Sequence, residues 1–336
     1  MTSGIANGEP PTSGAPLVLL FGLPRSGTTW AGKIFDSHPD TLYRHEPDSW
    51  SALAAIPLVA AREEAARHRE TVRRFVRGLP GRRETKVAGS TPVFPKRYLA
   101  GWQQAWLRAG VLAAKGVARL RGECRVPPVP GASDLRSAPV VWKSIESIGR
   151  MGLLADVLPQ ARGVLLVRHP CGFIASVLRG ERSRRFTSGT PASEDYGVLE
   201  SLLTTHGARR RGLSLAYLRT LTPAERLAWR WLLFNEKAME EVAADGRFAV
   251  VRYEDLCRDP EATAGAMFQR VGLALDPQTR EFLAASTRSD RGGYFSVYKD
   301  SARAAEHWRH ELDAETAERV REVVTGTLPG ALYDDH

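Results

Sequence analysis

Short apolar runs of strand length recur along the chain, and each is followed by a segment with the apolar spacing of a helix. The runs cover residues 17–22, 139–143, 163–167 and 248–252. Continuous apolar runs are typical of parallel strands buried on both faces, whereas half-exposed strands alternate apolar and polar residues. The pattern therefore predicts an α/β fold: a three-layer sandwich with a mostly parallel central sheet and helices on both faces.

Helix starts are marked by capping residues. Thr222, Pro223 and Glu225 form a capping box with proline at the first helical position, which predicts a helix over residues 223–243. Aspartate followed by proline marks a helix start in the same way. Further helices are predicted to begin at the Asp-Pro pairs 259–260 and 276–277, and to cover residues 313–325.

Three segments depart from the alternation of strand and helix. Residues 1–15 are rich in Gly, Ser, Pro and Thr and have little to bury, so we predict a disordered leader. Residues 16–336 are expected to form a single domain. Within it, residues 51–122 have helical patterns without a strand signal and are interpreted as a helical insertion. Residues 179–221 are polar, arginine-rich and irregular, as in a lid-like insertion.

Composition narrows the classes of protein. The 336 residues are 43% hydrophobic and 25% charged, which is enough for a large buried core. No apolar window approaches the ~18 residues that span a bilayer, so we expect no stable membrane insertion and a cytoplasmic location. Cys124, Cys171 and Cys257 lie far apart and lack CxxC or metal-ligand spacing, so neither a disulfide framework nor a zinc site is expected.

The formal net charge of +9 favours an anionic ligand or surface. One basic segment covers residues 61–77, where arginines alternate with Glu63, Glu64 and Glu70 at three- and four-residue spacing. That spacing is typical of a solvated helix face. No zinc-finger, RNA-binding or helix-turn-helix signature accompanies it, so nucleic acid is not an expected partner. The sequence does not indicate an oligomeric state.

The most informative chemical motif follows the first apolar run. The segment from Gly22 to Trp30 reads GLPRSGTTW and leads into a helical pattern. Glycines let the backbone wrap an oxyanion, and the free amides of a helix N terminus point towards it. The hydroxyls of Ser26, Thr28 and Thr29 add donors. The motif therefore predicts a phosphate-binding loop.

The loop differs from the phosphate loop of nucleoside triphosphatases at one position. Its spacing is similar to GxxxxGK[ST], but Thr28 stands where that motif requires lysine, and the cation of the loop is Arg25. Without a lysine to reach the β and γ phosphates, a P-loop kinase or triphosphatase is the weaker alternative. A non-catalytic nucleotide-binding protein is the other alternative, because it would keep the anion loop without catalytic residues.

Residues 24–30, PRSGTTW, resemble the 5′-phosphosulfate loop of sulfotransferases that use 3′-phosphoadenosine-5′-phosphosulfate (PAPS). Arginine at the position of Arg25 is similar to the carbohydrate and tyrosylprotein branches, whereas cytosolic members usually have lysine there. The resemblance implies PAPS as the sole cofactor, without a metal. It implies cofactor contacts by Arg25, Ser26, Gly27, Thr28, Thr29 and Trp30.

The resemblance also implies a site for the 3′-phosphate of PAPS. The run 163–167 ends at Arg168, and Ser176 follows eight residues later, as in the 3′-phosphate motif of the family. Arginine offers a planar fork for phosphate oxygens and serine a short donor. Two weaker matches add Tyr253, which lies near the adenine in the family, and Lys299, in a segment that closes over the cofactor.

Sulfuryl transfer needs cations near the bridging oxygen and a base for the proton of the acceptor. Arg25 could stabilise the departing nucleotide, and Lys143 resembles the catalytic lysine of the tyrosylprotein branch. Glu46 resembles the catalytic glutamate of the carbohydrate and tyrosylprotein enzymes, and partial desolvation is expected to raise its pKa. His45 is the rival base, because histidine titrates near neutrality.

The chain is thus identified as a member of the PAPS-dependent sulfotransferases. The expected reaction transfers a sulfuryl group to a hydroxyl or amine and leaves 3′-phosphoadenosine-5′-phosphate (PAP). The acceptor could be a carbohydrate, a small natural product, a lipid-linked glycan or a peptide tyrosine. The resemblance carried by Arg25 and Glu46 favours a carbohydrate or a small metabolite. Specificity is expected to reside in the two insertions.

Overall fold

A five-stranded sheet forms the centre of the computed structural model, which describes residues 16–49, 52–132, 137–183, 189–288 and 305–334. The strand order is β2-β3-β1-β4-β5, and all neighbours are parallel. The strands are β1 Leu17–Phe21, β2 Leu42–His45, β3 Val140–Ser144, β4 Arg162–Val167 and β5 Phe248–Arg252. The predicted α/β class is confirmed, and the four apolar runs coincide with strands to within one residue at each end.

Helices follow and cover the strands. In chain order they are α1 Thr28–Ser37, α2 Ala65–Gly78, α3 Thr85–Ala88, α4 Gly101–Arg121, α5 Met151–Val157, α6 Pro170–Arg182, α7 Tyr196–Leu202, α8 His206–Arg210, α9 Leu215–Thr220, α10 Pro223–Val242, α11 Tyr253–Arg258, α12 Pro260–Arg270, α13 Pro277–Arg288 and α14 Ala314–Val324. The predicted capping box of α10 is present, with Thr222 and Glu225 bonded to each other's backbone amides. The predicted helix starts after Asp259 and Asp276 are also confirmed.

The two faces of β1 belong to two separate cores. Leu19 and Phe21 pack into the core that contains buried residues of α5, α6 and α10, whereas Val18 and Leu20 pack into the core that contains residues of α1 and α12. Alternate side chains of a strand point to opposite faces of the sheet. The sheet is therefore the middle of three layers, as the continuous apolar runs predicted.

The segment 51–122 contains α2, α3 and α4. Along α2, His68, Val72 and Phe75 are buried, while most of its arginines face outwards. The basic stretch predicted as a solvated helix face is therefore one side of an amphipathic helix. Gln103, Val111 and Ala114 are the residues that α4 buries.

The segment 179–221 differs from the irregular chain that we predicted. The helix α6 continues to Arg182, and α7, α8 and α9 occupy much of the remainder. Each of these three helices has five to seven residues, too few for an apolar period to be visible in the sequence. Each begins at a side-chain cap that accepts the backbone N–H of the residue three positions on; the caps are Asp195, Thr205 and Ser214.

No helix within the described ranges has the length and apolarity to cross a membrane. Cys124, Cys171 and Cys257 form no disulfide with one another. Among the residues with described coordinates, no group of three or more His, Cys, Asp or Glu side chains is placed to hold a metal ion.

Candidate active site

The predicted site residues converge at the carboxyl end of the sheet. Because all five strands are parallel, their carboxyl ends meet along one edge, where ligands of open α/β sheets usually bind. β1 leads into the phosphate loop, and β2 and β3 end beside Glu46 and Lys143. β4 is followed by Arg168. Site residues that are distant in the sequence therefore lie close together, at the ends of the four consecutive strands β2, β3, β1 and β4.

The loop after β1 has the backbone geometry of an anion site. Arg25 and Gly27 both have positive φ, of 70° and 87°, which turns the chain sharply into α1. The first helical hydrogen bond runs from the amide of Ala31 to the carbonyl of Gly27, at 3.1 Å. The amides of Thr28 and Thr29 precede that bond and so have no acceptor within the helix. Such amides, at the positive end of the helix dipole, bind oxyanions.

Tyr253 explains why Gly27 must be glycine. A Cβ atom on Gly27 would lie only 2.3 Å from Cδ2 of Tyr253, whose ring packs against the loop. The guanidinium of Arg168 stacks on the same ring, 4.9 Å from its centroid. Burial raises the pKa of Tyr253, so its hydroxyl stays protonated. Tyr253 therefore fills the space between the phosphate loop and Arg168, and its predicted place near the adenine stays a prediction.

Arg25, Arg168 and Ser176 join the two predicted anion sites. Nε of Arg25 donates to Oγ of Ser176 at 3.1 Å, and Nη1 of Arg168 donates to the carbonyl of Arg25 at 2.9 Å. Arg168 and Ser176 are buried, and so are Ser26 and Thr28 of the loop. The loop and the end of β4 therefore form one preorganised cluster, which fits a ligand with two anionic groups.

Trp30 and Lys299 are two predicted cofactor-binding residues that do not belong to this cluster. Trp30 is buried in the core on the α1 face, where Nε1 donates to Oγ of Ser286 at 3.1 Å. Its ring meets that of Tyr253 edge to face, at 6.3 Å between centroids. Its predicted contact with the cofactor stays a prediction. Lys299 lies outside the described residues.

The backbone around Arg168 is held by residues that sequence reasoning missed. Nε1 of Trp231 donates to the carbonyl of Arg168 at 2.8 Å. The amide of His169 donates to Oε1 of Glu254 at 3.0 Å, and the hydroxyl of Tyr333 donates to Oε2 at 3.1 Å. These contacts come from α10, α11 and the C-terminal segment, so three distant parts of the chain fix the strand end.

Glu46 lies among three basic side chains. Nζ of Lys143 donates a hydrogen bond to Oε1 of Glu46, and Nζ of Lys86 lies 3.4 Å from Oε2. Nε2 of His45 lies 3.7 Å from Oε1. Glu46 has a φ of 47°, an unusual backbone conformation for a residue with a side chain. The structure therefore brings together the predicted base, the predicted catalytic lysine and the rival base.

The expected rise in the pKa of Glu46 is wrong. Burial alone would raise it, but the charge and hydrogen bond of Lys143, with smaller effects from His45 and Lys86, lower the pKa to about 2. Burial, together with the charge of Lys143, also lowers the pKa of His45 to about 3. At neutral pH the carboxylate is therefore ionised and the imidazole is neutral.

The hydrogen bonds of His45 define which of its nitrogens carries the proton. The hydroxyl of Tyr43 lies 2.8 Å from Nδ1 of His45. Burial raises the pKa of Tyr43, so its hydroxyl keeps its proton and donates to Nδ1. The ring proton is then assigned to Nε2, which faces the carboxylate of Glu46. In this tautomer neither ring nitrogen of His45 is open to accept a proton from an acceptor.

Asp48 and Lys86 belong to the site but carried no signal in the sequence. The carboxylate of Asp48 accepts hydrogen bonds from Nε1 of Trp142 at 3.1 Å and from the hydroxyls of Ser144 and Ser147. It thereby holds the end of β3, next to Lys143. Lys86 comes from α3, in the insertion that had no recognisable motif.

A cavity of about 290 Å³ lies along β2, and its lining includes Tyr43, whose hydroxyl contacts His45. It is bounded by β2 on one side and by α3, α4 and the segment after α4 on the other. Its lining is largely apolar, with Tyr43 and Arg44 from β2 and Leu107 and Val111 from the buried side of α4. The helical insertion therefore forms one wall of a partly open cavity along β2, the strand that leads to Glu46.

Comparison with known proteins agrees with this arrangement. Residues 16–277 match the family model described as Sulfotransferase family. Carbohydrate sulfotransferase 6 of Homo sapiens is 26% identical over 348 aligned residues, which cover 93% of this chain and 79% of the relative. Carbohydrate sulfotransferase 5 of Mus musculus is 26% identical over 331 residues, with the same two coverages.

Among solved structures, one similar chain is mouse sulfotransferase SULT7A1 complexed with PAP. It superimposes with a TM-score of 0.47 at 10% identity, over 96% of this chain and 89% of that chain. The family match covers well over half of the sequence and includes the phosphate loop, Glu46, Lys143 and Arg168. The protein therefore belongs to the sulfotransferase family and is a PAPS-dependent sulfotransferase.

Proposed function

We propose that this enzyme transfers the sulfuryl group of PAPS to a hydroxyl of a carbohydrate or another small acceptor, with Glu46 as the base. The observation that carries the proposal is the ion pair between Glu46 and Lys143 beside the phosphate loop. The strands β3 and β1 are direct neighbours, and Ser144 pairs in register with Phe21, the last residue before the loop. A carboxylate, a lysine and an oxyanion loop therefore occupy one edge.

The donor side is formed by the loop and the end of β4. The amides of residues 27–29 and the hydroxyls of residues 26, 28 and 29 would hold the 5′-phosphosulfate, and Arg168 and Ser176 would hold the 3′-phosphate. When bound, PAPS supplies an activated sulfuryl group with PAP as its leaving group. Nε of Arg25 donates to Ser176, and its carbonyl accepts from Arg168, which supports a role for its guanidinium in neutralising charge on the departing phosphate.

The basicity of Glu46 depends on whether the ammonium of Lys143 is bonded to Glu46 or to the sulfuryl group of the donor. Lys143 is buried, and burial lowers its pKa, while its ammonium is bonded to Glu46. A sulfuryl group on the donor would attract the same ammonium. As Lys143 turns towards that group, Glu46 loses its strongest stabilising charge, and burial then raises the pKa of Glu46 towards that of a useful base. The proton of the acceptor hydroxyl passes to the carboxylate of Glu46.

The acceptor class is proposed from two lines of support. The similar proteins are named carbohydrate sulfotransferases, which supports a carbohydrate hydroxyl. The largely apolar cavity along β2 supports an acceptor that also carries an apolar group. Both are compatible with a small glycoconjugate or natural product whose hydroxyl reaches Glu46.

The test is transfer of radioactive sulfur from labelled PAPS to a panel of saccharides, glycosides and phenols, without added metal. We expect acceptor-dependent formation of PAP in equal amount to sulfated product. Glu46→Gln should bind PAP normally but turn over about 100-fold or more slowly, because it cannot take the proton.

Asp40→Asn is the matched control, because Asp40 lies just before β2 and is paired with Arg97 on the surface. It should leave turnover unchanged. Magnesium-dependent phosphoryl transfer from ATP, or full activity of Glu46→Gln, would contradict the proposal.

A further inference from the structure

The outward side of α4 is an exposed apolar face. Within the described chain seven large hydrophobic side chains are exposed, and five of them lie on this helix. The five are Trp102, Trp106, Leu112, Val117 and Leu120. Single exposed hydrophobic residues are normal on protein surfaces, but a continuous apolar patch marks an interaction site. The concentration on one helix therefore needs an explanation.

The apolar side chains form a continuous stripe. Over its 21 residues α4 is about 31 Å long. The period of 3.6 residues places small and apolar residues in one row between the two tryptophans and the last turn. The row consists of Trp102, Trp106, Ala109, Ala113, Gly116, Val117 and Leu120. The opposite side contains the buried residues Gln103, Val111 and Ala114, and the last two pack in one cluster with Val126.

The stripe lies in a stretch of the chain in which every Asp, Glu, Lys or Arg position is Lys or Arg. Residues 85–122 include no aspartate or glutamate, and they carry seven lysines and arginines. On α4, Arg108, Lys115 and Arg119 follow one flank of the stripe, and Arg121 lies on the other flank. The net charge of the whole chain is +9. Any partner of this face must therefore accept apolar contact in the middle and cations at the sides.

We propose that this face docks on the surface of an anionic lipid bilayer, with α4 lying parallel to the membrane plane. Tryptophan is favoured at the boundary between lipid headgroups and acyl chains, and flanking lysine and arginine bind anionic headgroups. In this arrangement α4 lies on the bilayer surface and does not cross it. The inference does not depend on the chemistry of the sulfotransferase site.

A bilayer fits the stripe better than a protein partner does. Protein interfaces carry about one hydrogen bond per 100–200 Å² of buried area. The stripe consists of alanine, glycine, valine, leucine and two tryptophans, so only the two indole N–H groups could donate. The indole of Trp106 already donates to the carbonyl of Pro128, at 3.0 Å. A surface with so few polar groups is suited to acyl chains, which offer no hydrogen bonds in return.

The test is flotation of the full-length protein with vesicles of phosphatidylcholine, alone or mixed with anionic phosphatidylglycerol. We expect several-fold more protein to float with the anionic vesicles. Salt should release it, because the screening length falls from ~30 Å at 0.01 M to ~3 Å at 1 M. The triple variant Trp102→Glu, Val117→Glu, Leu120→Glu changes three exposed residues of the stripe. With anionic vesicles it should float no better than the wild type does with neutral vesicles.

The control for position is Tyr217→Glu, which places one glutamate, against three in the triple variant, at an exposed aromatic side chain on α9. It should float like the wild type, and circular dichroism should show that both variants are folded. Flotation of the triple variant at the wild-type level would overturn the proposal. Wild-type protein that floats no better with anionic than with neutral vesicles would also overturn it. Self-association that the triple variant abolishes, without lipid binding, would instead assign the face to a second copy of the chain.

Discussion

Glu46 and Lys143 are joined by both backbone and side chain. The amide of Glu46 donates to the carbonyl of Lys143 at 2.8 Å, which extends the pairing of β2 with β3 by one residue. Nζ of Lys143 donates back to the carboxylate of Glu46. The backbone bond fixes the two residues side by side, so little conformational entropy is lost when the side chains meet. A base and a cation are therefore preorganised before any substrate binds.

The ion pair predicts a coupling in stability. Lys143→Met is expected to destabilise the fold by about 3 kcal/mol, because it leaves a buried carboxylate without its main partner. The double variant Glu46→Gln, Lys143→Met should recover at least half of that loss. Urea unfolding measures both. Arg77→Met is the control, since Arg77 pairs with Glu70 on the surface and should change stability little. A double variant no more stable than Lys143→Met would contradict the coupling.

Arg168 predicts selectivity for the 3′-phosphate. Arg168→Ala should weaken binding of PAP about 10- to 100-fold and leave binding of AMP nearly unchanged, because hydrogen bonds between charged groups are worth about 1.5–3 kcal/mol. Isothermal titration with each nucleotide measures this. Arg162→Ala, at the exposed start of the same strand, should bind both nucleotides like the wild type. Equal losses for PAP and AMP would instead assign Arg168 to holding the backbone of Arg25.

A side chain at position 27 is expected to overlap with the ring of Tyr253. Gly27→Ala is expected to cost about 2 kcal/mol or more in stability and to abolish PAP binding, because it adds both a strained φ and an overlap with the ring. Combining it with Tyr253→Ala should cost less than the sum of the two single changes. Gly78→Ala is the control, since a methyl group there meets open space. Simple additivity of the two changes would mean that the ring does not constrain the loop.

His45 predicts how stability changes with pH. Its folded pKa is about 3, while an unfolded histidine titrates near 6.5, so below pH 6.5 the unfolded state takes up the proton first. Stability is therefore lost as pH falls from 6.5 towards 3, by about 2 kcal/mol between pH 7 and pH 5. His45→Gln should reduce that loss by the same amount, measured by urea unfolding at both pH values. His206→Gln, at an exposed histidine, should not reduce it.

The sheet and the phosphate loop could be predicted because their signals are local. Four of the five strands coincide with contiguous apolar runs, whereas β2, with the sequence LYRH, does not. The loop occupies one unbroken stretch from Gly22 to Trp30. The meeting of Arg25 with Ser176 was also within reach, because parallel strands bring their carboxyl ends together. Fold class and the outline of the cofactor site therefore followed from residues close in sequence.

Other parts of the site could not be predicted, because they depend on contacts between distant residues. Lys86 reaches Glu46 from an insertion whose path no motif indicates. Whether the pKa of Glu46 is raised or lowered depends on the balance between burial and the charges of nearby cations. That balance can be judged only when the distances to those cations are known. The short helices α7 to α9 were missed because their capping residues are equally common in turns.

The central position of β1 has a consequence for biosynthesis. Its partners in the sheet begin at Val140 and Arg162, so the apolar strand leaves the ribosome long before either exists. At about 5–20 residues per second, the nascent chain carries this uncovered segment for roughly 6 to 30 seconds. During that interval it is a target for chaperones and for aggregation. The loop that follows it is completed later still, when Tyr253 emerges to pack beneath Gly27.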